Sequence, residues 1–164
     1  MLSIKNATIA DIPLIRTLAM EIWPQTYTPI IGVEQVAYML SLFYSPEQLK
    51  AQIEDHHTFL ICYDDALPVA FASYAEAEPG KYKLHKLYIL PDQQGKGIGK
   101  FLVKHIIADL KARGATTLFL NVNRYNMAAK AFYEKVGFRH AKDEDIHIGE
   151  GYYMNDHVLE LGVE

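Results

Sequence analysis

A glycine-rich segment in the second half of the chain has the residue types needed to bind a phosphate group. Residues 87–100 read LYILPDQQGKGIGK, so an apolar strand leads into a turn that contains Gly95, Gly97 and Gly99. A helix is predicted to begin within this turn. The first N–H groups of a helix have no partners within the helix, and the helix dipole is positive at that end. The sequence therefore predicts an anion site built from backbone groups that small side chains leave accessible.

The spacing of these glycines excludes two common phosphate-binding loops. A Walker loop has glycine, four residues and then Gly-Lys-Ser/Thr, whereas counting back from Gly99 and Lys100 places Gln94 first and Phe101 last. The dinucleotide fingerprint requires a third glycine at the position of Lys100. Neither loop is therefore predicted.

The turn fits a different pattern, Gln/Arg-x-x-Gly-x-Gly/Ala, through Gln94, Gly97 and Gly99. Residues 120–138 read LNVNRYNMAAKAFYEKVGF, which is a strand, an asparagine, an Ala-rich helix with a tyrosine seven residues on, and Gly-Phe. In this order and at this separation, the two motifs resemble those of the GNAT superfamily of acyl-CoA-dependent N-acetyltransferases. The resemblance covers about residues 84–138, and the remainder of the chain matches only in element order.

The resemblance implies acetyl-CoA as co-substrate, no metal, and a set of cofactor contacts. The strand 84–90 would splay from the strand 118–122, and its backbone would bond the pantetheine arm in that gap. The amides of residues 94–100 would hold the pyrophosphate. The implied cofactor-binding residues are Leu87, Tyr88, Ile89, Gln94, Gly95, Lys96, Gly97, Ile98, Gly99, Lys100, Asn126 and Lys135. Helix capping is a second role predicted for Asn126, and a solvated helix end is an equal alternative for Lys135.

Tyr133 is the catalytic residue that the resemblance implies, as the general acid. Acetyl transfer from a thioester expels a thiolate, which leaves more easily when a donor protonates it. A phenol with an unperturbed pKa near 10 is protonated at neutral pH and suits this role. Asn126 lies seven residues earlier, on the same helix face and about 10.5 Å away along the axis. Core packing beside Phe132 is the alternative for Tyr133.

The general base is not evident from the sequence. Many relatives place a glutamate on one of the two splayed strands, but here the corresponding positions carry Asn121, Lys83, His85 and Lys86. An imidazole has a suitable unperturbed pKa near 6.5, so His85 is one candidate. A water chain that ends on Glu76, Glu78 or a C-terminal acid is the other.

The remaining histidines show no spacing typical of metal ligands, and we predict no metal site. They are His56, His57, His105, His140, His147 and His157, of which the first two are predicted to form a solvated turn. The single cysteine, Cys62, excludes an internal disulfide framework and a zinc ribbon. It lies in a predicted buried strand and is interpreted as a packing residue.

Composition limits the class of protein. The chain has 164 residues, of which 50% are hydrophobic, and these values predict one domain over residues 1–164, which the resemblance implies is an N-acetyltransferase domain. A net charge of -4 argues against a nucleic-acid partner. No apolar run approaches the length of a membrane span, and the N-terminal residues do not have the pattern of a signal peptide. We therefore expect a cytoplasmic protein without a membrane partner.

The element pattern predicts a mixed α/β fold. The order is strand, helices, three strands, helix, strand, helix and two strands, which the resemblance extends to a largely antiparallel sheet of six or seven strands flanked by helices. Asp11 is predicted to cap the first helix, residues 23–31 are predicted to be a loop, and helices follow at 33–42 and 46–55. The last two strands are expected near 138–142 and 152–161.

The predicted reaction is direct attack of a primary amine on acetyl-CoA in a ternary complex. Stretches at residues 23–27, 84–88, 121–126 and 151–156 resemble the PaiA-type polyamine acetyltransferases. Acidic residues in the C-terminal strands favour a polycationic acceptor, although ordinary solvated charge explains them equally well. The alternatives are a protein N-terminal or lysine acetyltransferase and a non-catalytic CoA-binding regulatory domain. The sequence does not decide whether the acceptor is a small molecule or a peptide, or whether the protein forms a homodimer.

Overall fold

The computed structural model describes all 164 residues, and its strands form one mixed sheet. The strands are β1 Leu2–Asn6, β2 Thr58–Asp64, β3 Leu67–Glu78, β4 Lys81–Ile89, β5 Thr117–Asn123, β6 Arg139–Gly149 and β7 Tyr152–Gly162. Their order in the sheet is β1-β2-β3-β4-β5-β7-β6. The helices are α1 Ile12–Phe43, α2 Pro46–Glu54, α3 Ile98–Ala112 and α4 Met127–Val136. The predicted mixed α/β fold is confirmed. No helix is both long and apolar enough to cross a membrane.

The chain divides into two compact units. The first contains Met1–Ala75 and Lys86–His105, and the second contains Glu76–His85 and Ile106–Glu164. Both β4 and α3 contribute residues to each unit. The single domain over residues 1–164 stays a prediction.

The core of the first unit is formed by β2, β3 and the apolar face of α1. Four consecutive residues of β2, Phe59–Cys62, are buried, and β3 contains a longer buried run. Such continuous burial is typical of strands covered on both faces, whereas alternation marks strands with one face in water. Antiparallel ladders join β1 to β2 and β2 to β3. The predicted apolar face of the first helix is buried, with Ile15, Leu18, Ala19 and Ile22 each at most 3% exposed.

The predicted loop at residues 23–31 is wrong, because α1 continues through both of its prolines. Its break comes later, at Gly32, where φ is +86° and ψ is 162°. Proline removes one helical hydrogen bond and is tolerated in a helix where water satisfies the carbonyl that loses its partner. Pro24 and Pro29 are both exposed, whereas Ile22 and Trp23 are buried. The prolines therefore lie on the solvent side of a helix whose other side packs in the core.

The predicted cap of α1 is also different in the structure. The Asp11 side chain makes no hydrogen bond to the N-terminus of α1. Its carboxylate instead accepts a bond from the Thr8 backbone N–H (2.8 Å), at the start of the short 3₁₀ turn Ile9–Asp11. The capping carboxylate therefore acts one turn earlier than the helical pattern predicts.

The second unit contains β5, β7 and β6, with α4 between β5 and β6 in the chain. In β5 the buried residues Leu118, Leu120 and Val122 alternate with partly exposed ones, as predicted. The parallel β4–β5 ladder joins Lys81–Leu84 to Thr117–Leu120, although both strands continue beyond it. The neighbours of β7, β5 and β6, are both antiparallel to it.

The hairpin of β6 and β7 is longer than predicted. Strand β6 continues to Gly149 and is largely exposed, so the apolar alternation on which the prediction depends is missing there. Glu150 and Gly151 connect the strands with φ values of +54° and +78°, typical of a two-residue type I′ turn. The β6–β7 register shifts between His140 and Lys142, which marks a β-bulge.

Candidate active site

The turn that follows β4 presents backbone N–H groups beside open space. After a short 3₁₀ turn, Pro91–Gln93, Gly95 and Gly97 have φ values of +81° and +80°, and α3 begins at Ile98. The N–H of Phe101 donates to Gly97 O (3.0 Å), and the N–H groups just before it in α3 have no carbonyl partner within the helix. A Cβ added at either glycine would meet no atom within 4 Å. This geometry suits an anionic group at the positive end of a helix dipole.

Side chains stabilise this turn from its flanks. Gln94 Nε2 donates to Ile89 O at the end of β4 (3.3 Å), and Lys96 Nζ donates to Gln93 Oε1 (3.1 Å). Of the predicted phosphate-binding residues, Ile98 and Gly99 are buried, and the exposed ones are Gln94, Gly95, Lys96, Gly97 and Lys100. Gln94 therefore links the turn to the end of β4 through a hydrogen bond, and Lys96 and Lys100 add positive charge to the exposed side of the turn.

Tyr88 belongs to an aromatic cluster in the first unit, formed with Trp23, Tyr27, Tyr44 and Phe71. Its ring centroid lies 5.6 Å from that of Trp23, 6.3 Å from that of Tyr27 and 5.7 Å from that of Phe71. The Tyr27 and Tyr88 hydroxyl oxygens are 3.4 Å apart. Tyr27 and Tyr88 are partly exposed, and the other three rings are buried. Because residues 23–31 were predicted to be a loop, the i, i+4 spacing of Trp23 and Tyr27 was not recognised as a helical pair.

Lys86 is a buried cation beside this cluster. It is 7% exposed, and its Nζ donates to Gln52 Oε1 (2.9 Å). The same Nζ lies 5.4 Å from the ring centroid of Tyr44 and 5.5 Å from that of Phe59, within the range of cation–π attraction. These contacts within the first unit therefore stabilise the buried ammonium group of Lys86.

Asn126 and Tyr133 are brought onto one short helix of the second unit. Asn126 Oδ1 accepts a bond from the Ala129 N–H (3.3 Å), so the predicted capping role is confirmed. Tyr133 is 8% exposed, and its ring lies 5.1 Å from Phe132 and 5.4 Å from Phe138 in edge-on contacts. Packing therefore fixes the ring of Tyr133, which suits a group that must present its hydroxyl in one direction. Lys135 is exposed in the last turn of α4.

A pair of carboxyl groups lies around Asn121 on β5. Asn121 Nδ2 donates to Asp156 Oδ2 (3.2 Å) and to Glu144 Oε2 (3.3 Å). Asp156 is 3% exposed, and this burial raises its pKa despite the hydrogen bond from Asn121. The pKa of Glu144 is lowered, chiefly by its hydrogen bond from Lys142. The two neighbouring carboxyls therefore differ in their affinity for a proton, a pattern typical of acid–base sites.

A comparison with protein families decides the class of the molecule. A family model described as "Acetyltransferase (GNAT) family" matches residues 16–138. The chain belongs to the GNAT family. The resemblance inferred from the two motifs is thereby confirmed, together with the class of enzyme, an acetyl-CoA-dependent N-acetyltransferase.

The similarity to individual GNAT relatives covers nearly the whole chain in two cases and about a third of it in another. An uncharacterised N-acetyltransferase of Mycobacterium tuberculosis is 25% identical over 152 residues, which is 92% of this chain and 97% of the relative. A ribosomal protein bS18-alanine N-acetyltransferase of Salmonella typhimurium is 43% identical over 58 residues, 35% of this chain and 39% of the relative. The structure of the PaiA N-acetyltransferase of Thermoplasma acidophilum in complex with coenzyme A is similar to this chain, with a TM-score of 0.83. The two chains are 25% identical, and the superposition covers 99% of each.

In this GNAT chain, the candidate bases named from the sequence lie in different environments. His85 is exposed on β4. Glu76 accepts a bond from the Gly80 N–H (3.1 Å), and Glu78 is exposed. Asp156 is one of the C-terminal acids, and it alone among these candidates is buried.

Two expectations about the remaining histidines and the cysteine have different outcomes. The pKa of the buried Cys62 thiol is raised to about 11, chiefly by burial, which agrees with a packing role. The sequence spacing of the histidines indicated no metal ligands, but the structure places His140 and His157 around Asp143. A β-bulge brings them together, and a linear pattern does not reveal it.

Proposed function

We propose that this GNAT enzyme transfers the acetyl group of acetyl-CoA to a primary amine within a ternary complex. The family match over residues 16–138 carries the proposal, because it includes both motifs. The similarity to a PaiA enzyme solved with coenzyme A supports the choice of donor. The amine nitrogen attacks the thioester carbonyl, the new C–N bond forms, and the C–S bond breaks to release coenzyme A.

The donor is proposed to bind through the residues named from the sequence. The pyrophosphate is assigned to the amides of residues 94–100, where the open space at Gly95 and Gly97 supports a close approach of phosphate oxygens. Leu87–Ile89 are assigned to the pantetheine arm, beyond the residues that form the β4–β5 ladder. Asn126 and Lys135 complete the proposed set.

Tyr133 is proposed to protonate the departing thiolate of coenzyme A. Its hydroxyl is a proton donor at neutral pH when unperturbed, and its ring is held by Phe132 and Phe138. Burial of the ring restricts its rotation, so the fold sets the position of the hydroxyl oxygen. The alternative, that Tyr133 only packs, predicts no loss of rate when the hydroxyl alone is removed.

Asp156 is proposed as the group that accepts the proton of the attacking ammonium, directly or through water. A carboxylate with a raised pKa is a better proton acceptor near neutral pH than an exposed one. The hydrogen bond that Asn121 donates to Asp156 Oδ2 orients the carboxyl group, and Oδ1 is the oxygen that would accept the proton. Among the alternatives left open by the sequence, burial favours this C-terminal acid over His85, Glu76 and Glu78.

A polyamine is proposed as the acceptor. The similarity to PaiA supports it, as do the partly exposed rings of Tyr27 and Tyr88, since aromatic faces attract alkylammonium groups. The acidic hairpin supports it less, because several of its carboxylates have local partners: Asp143 has two histidines, Glu144 has Lys142, and Asp145 has Arg124. The bS18-alanine relative makes a protein N-terminus the second candidate acceptor.

A thiol-release assay with a panel of amines tests the proposed function. Spermidine and spermine are expected to give a higher kcat/KM than peptides with a free N-terminal alanine, and this rate is expected to fall as salt screens the attraction. Faster turnover of the peptide, or a spermidine rate independent of salt, would overturn the polyamine assignment alone. Saturable binding of acetyl-CoA in calorimetry without turnover of any amine would instead support a regulatory domain.

A further inference from the structure

Two imidazoles and one carboxylate form a compact group on the β6–β7 hairpin, here called the His-Asp-His cluster. Its members are His140, Asp143 and His157, whose candidate ligand atoms all lie within 4.8 Å of one another. Asp143 Oδ1 lies 2.7 Å from His140 Nε2 and 2.5 Å from His157 Nδ1. The two imidazole ring centroids are 4.8 Å apart. The three candidate metal-binding atoms therefore all come from the β6–β7 hairpin.

The bulge in β6 is what places all three side chains on one face. Asp143 is paired with His157 across the ladder, and His140 is paired with Leu159. Residues 157 and 159 share a face because side chains alternate along a strand. Positions 140 and 143 are an odd number apart and would face opposite sides of a regular strand. The extra residue between His140 and Lys142 restores the phase, so His140 and Asp143 share the face of His157.

The chemistry of the cluster matches a divalent metal of the late transition series. Imidazole nitrogen and carboxylate oxygen are ordinary Zn²⁺ ligands, and sites with three protein ligands keep a water molecule at the fourth position. The side chains of His140, Asp143 and His157 are 42%, 49% and 17% exposed, so ions and water have access. Lys142 lies within this segment, but its Nζ is paired with Glu144 Oε1 (2.9 Å), so its positive charge is partly neutralised.

We propose that the His-Asp-His cluster binds one Zn²⁺ ion through His140 Nε2, His157 Nδ1 and the Asp143 carboxylate. Ligand atoms of a tetrahedral zinc site lie roughly 3.3 Å apart, so the present hydrogen-bonded contacts need to open by less than about 1 Å. Bound metal would join β6 to β7 across the bulge and raise stability by mass action, since the unfolded chain has no preformed site.

Calorimetry with ZnCl₂ on metal-stripped protein without a histidine tag tests the site. One equivalent of Zn²⁺ is expected to bind, and His157→Ala is expected to weaken the affinity by at least about 10–100-fold. His147→Ala is the control: this exposed histidine lies on β6, the strand of His140 and Asp143, packs against Tyr153 and is outside the cluster. The Zn²⁺ affinity of His147→Ala is expected to equal that of the wild type.

If a histidine variant fails to fold, a second variant, Asp143→Asn, and a second metal ion, Co²⁺, still test the site. The asparagine has the same shape but no charge, so Zn²⁺ affinity is expected to fall while circular dichroism is unchanged. Co²⁺ is expected to give the visible absorption of a four-coordinate site in the wild type and in His147→Ala only. An increase in melting temperature with Zn²⁺ should follow the same pattern. Absence of Zn²⁺ binding by the wild type, or binding as tight as that of the wild type by Asp143→Asn or His157→Ala, would overturn the proposal.

Discussion

The turn that leads into α3 and the hairpin of β6 and β7 contain very different functional groups. In the turn, the accessible groups are backbone amides, and two glycines with positive φ hold them in place. In the hairpin, the accessible groups are side chains, and three of its six carboxylates, those of Asp143, Glu144 and Asp145, are paired with histidine, lysine or arginine. A backbone N–H is removed only by substitution with proline and is kept in every other variant, so the turn is sensitive chiefly to added side-chain volume. The hairpin is sensitive to lost charge, and most strongly where the charge is buried.

Gly97→Val tests the turn and has the largest expected effect. The Cβ would occupy open space, so the expected loss is in acetyl-CoA binding, together with strain of about 1–3 kcal/mol from a positive φ at a β-branched residue. Calorimetry should detect no acetyl-CoA binding by the folded variant. Gly151→Val in the hairpin turn is the matched control, with a φ of +78° and equally open space. It should lose similar stability and bind normally. Normal binding by Gly97→Val would place the phosphates elsewhere.

Tyr133→Phe separates the chemical role of the hydroxyl from packing. The ring contacts with Phe132 and Phe138 are retained, so melting temperature and acetyl-CoA affinity should stay close to those of the wild type. We expect kcat to fall on the order of 10²-fold, as when a general acid is lost. Tyr125→Phe, at a residue that is 65% exposed, is the control and should have wild-type kcat. A Tyr133→Phe rate within about twofold of wild type would leave only the packing role.

The same contrast explains how much was predictable from the sequence. The phosphate-binding turn depends on glycines at fixed spacing, so its chemistry is visible in residues 94–100 directly. The His-Asp-His cluster depends on a register shift after His140, which no periodicity reveals. The aromatic cluster was hidden for a different reason. Pro24 and Pro29 favoured a loop, whereas their exposed positions let the helix continue and place Trp23 and Tyr27 against Tyr88.

The identity of the base was equally hidden, because it depends on burial in the folded chain. Asp156 lies in a run of polar residues, 155–157, within the strand predicted near 152–161, and nothing in this run indicates which of its side chains is buried. The structure buries it opposite Asn123 and next to Asn121. The buried alternation of β5 and a strand near residues 152–161 could be predicted from the sequence, but the burial of a carboxyl group within that strand could not.

Asp156→Asn tests the buried charge of the hairpin. We expect kcat/KM to fall on the order of 10²-fold at neutral pH, the lower end of the range for removal of a general base. Only the ionised carboxyl accepts a proton, so the wild-type rate should rise with pH through the raised pKa, and the variant should lack this rise. Stability provides a second readout. Because the pKa is higher in the folded state, the wild type should lose stability as pH rises through this range, and the variant should not.

Glu160→Gln is the control for Asp156→Asn, since it removes a partly exposed carboxyl from the same strand. Its pH–rate profile should match that of the wild type. Identical profiles for Asp156→Asn and the wild type would return the choice of base to His85, Glu76 or Glu78.

Asp145→Asn tests an exposed charge of the hairpin and has the smallest expected effect. The Asp145 carboxylate is 60% exposed and lies 2.9 Å from Arg124 Nη2. Exposed ion pairs contribute about 0.2–1 kcal/mol, so the melting temperature should change little. If acidic charge attracts the acceptor, kcat/KM for spermidine should fall about twofold at low salt, and the difference should vanish as screening increases. A monoamine acceptor, which is attracted less, is the control. A large loss of kcat with both acceptors would instead show that an exposed charge of the hairpin takes part in the reaction, and the contrast between buried and exposed carboxylates would be wrong.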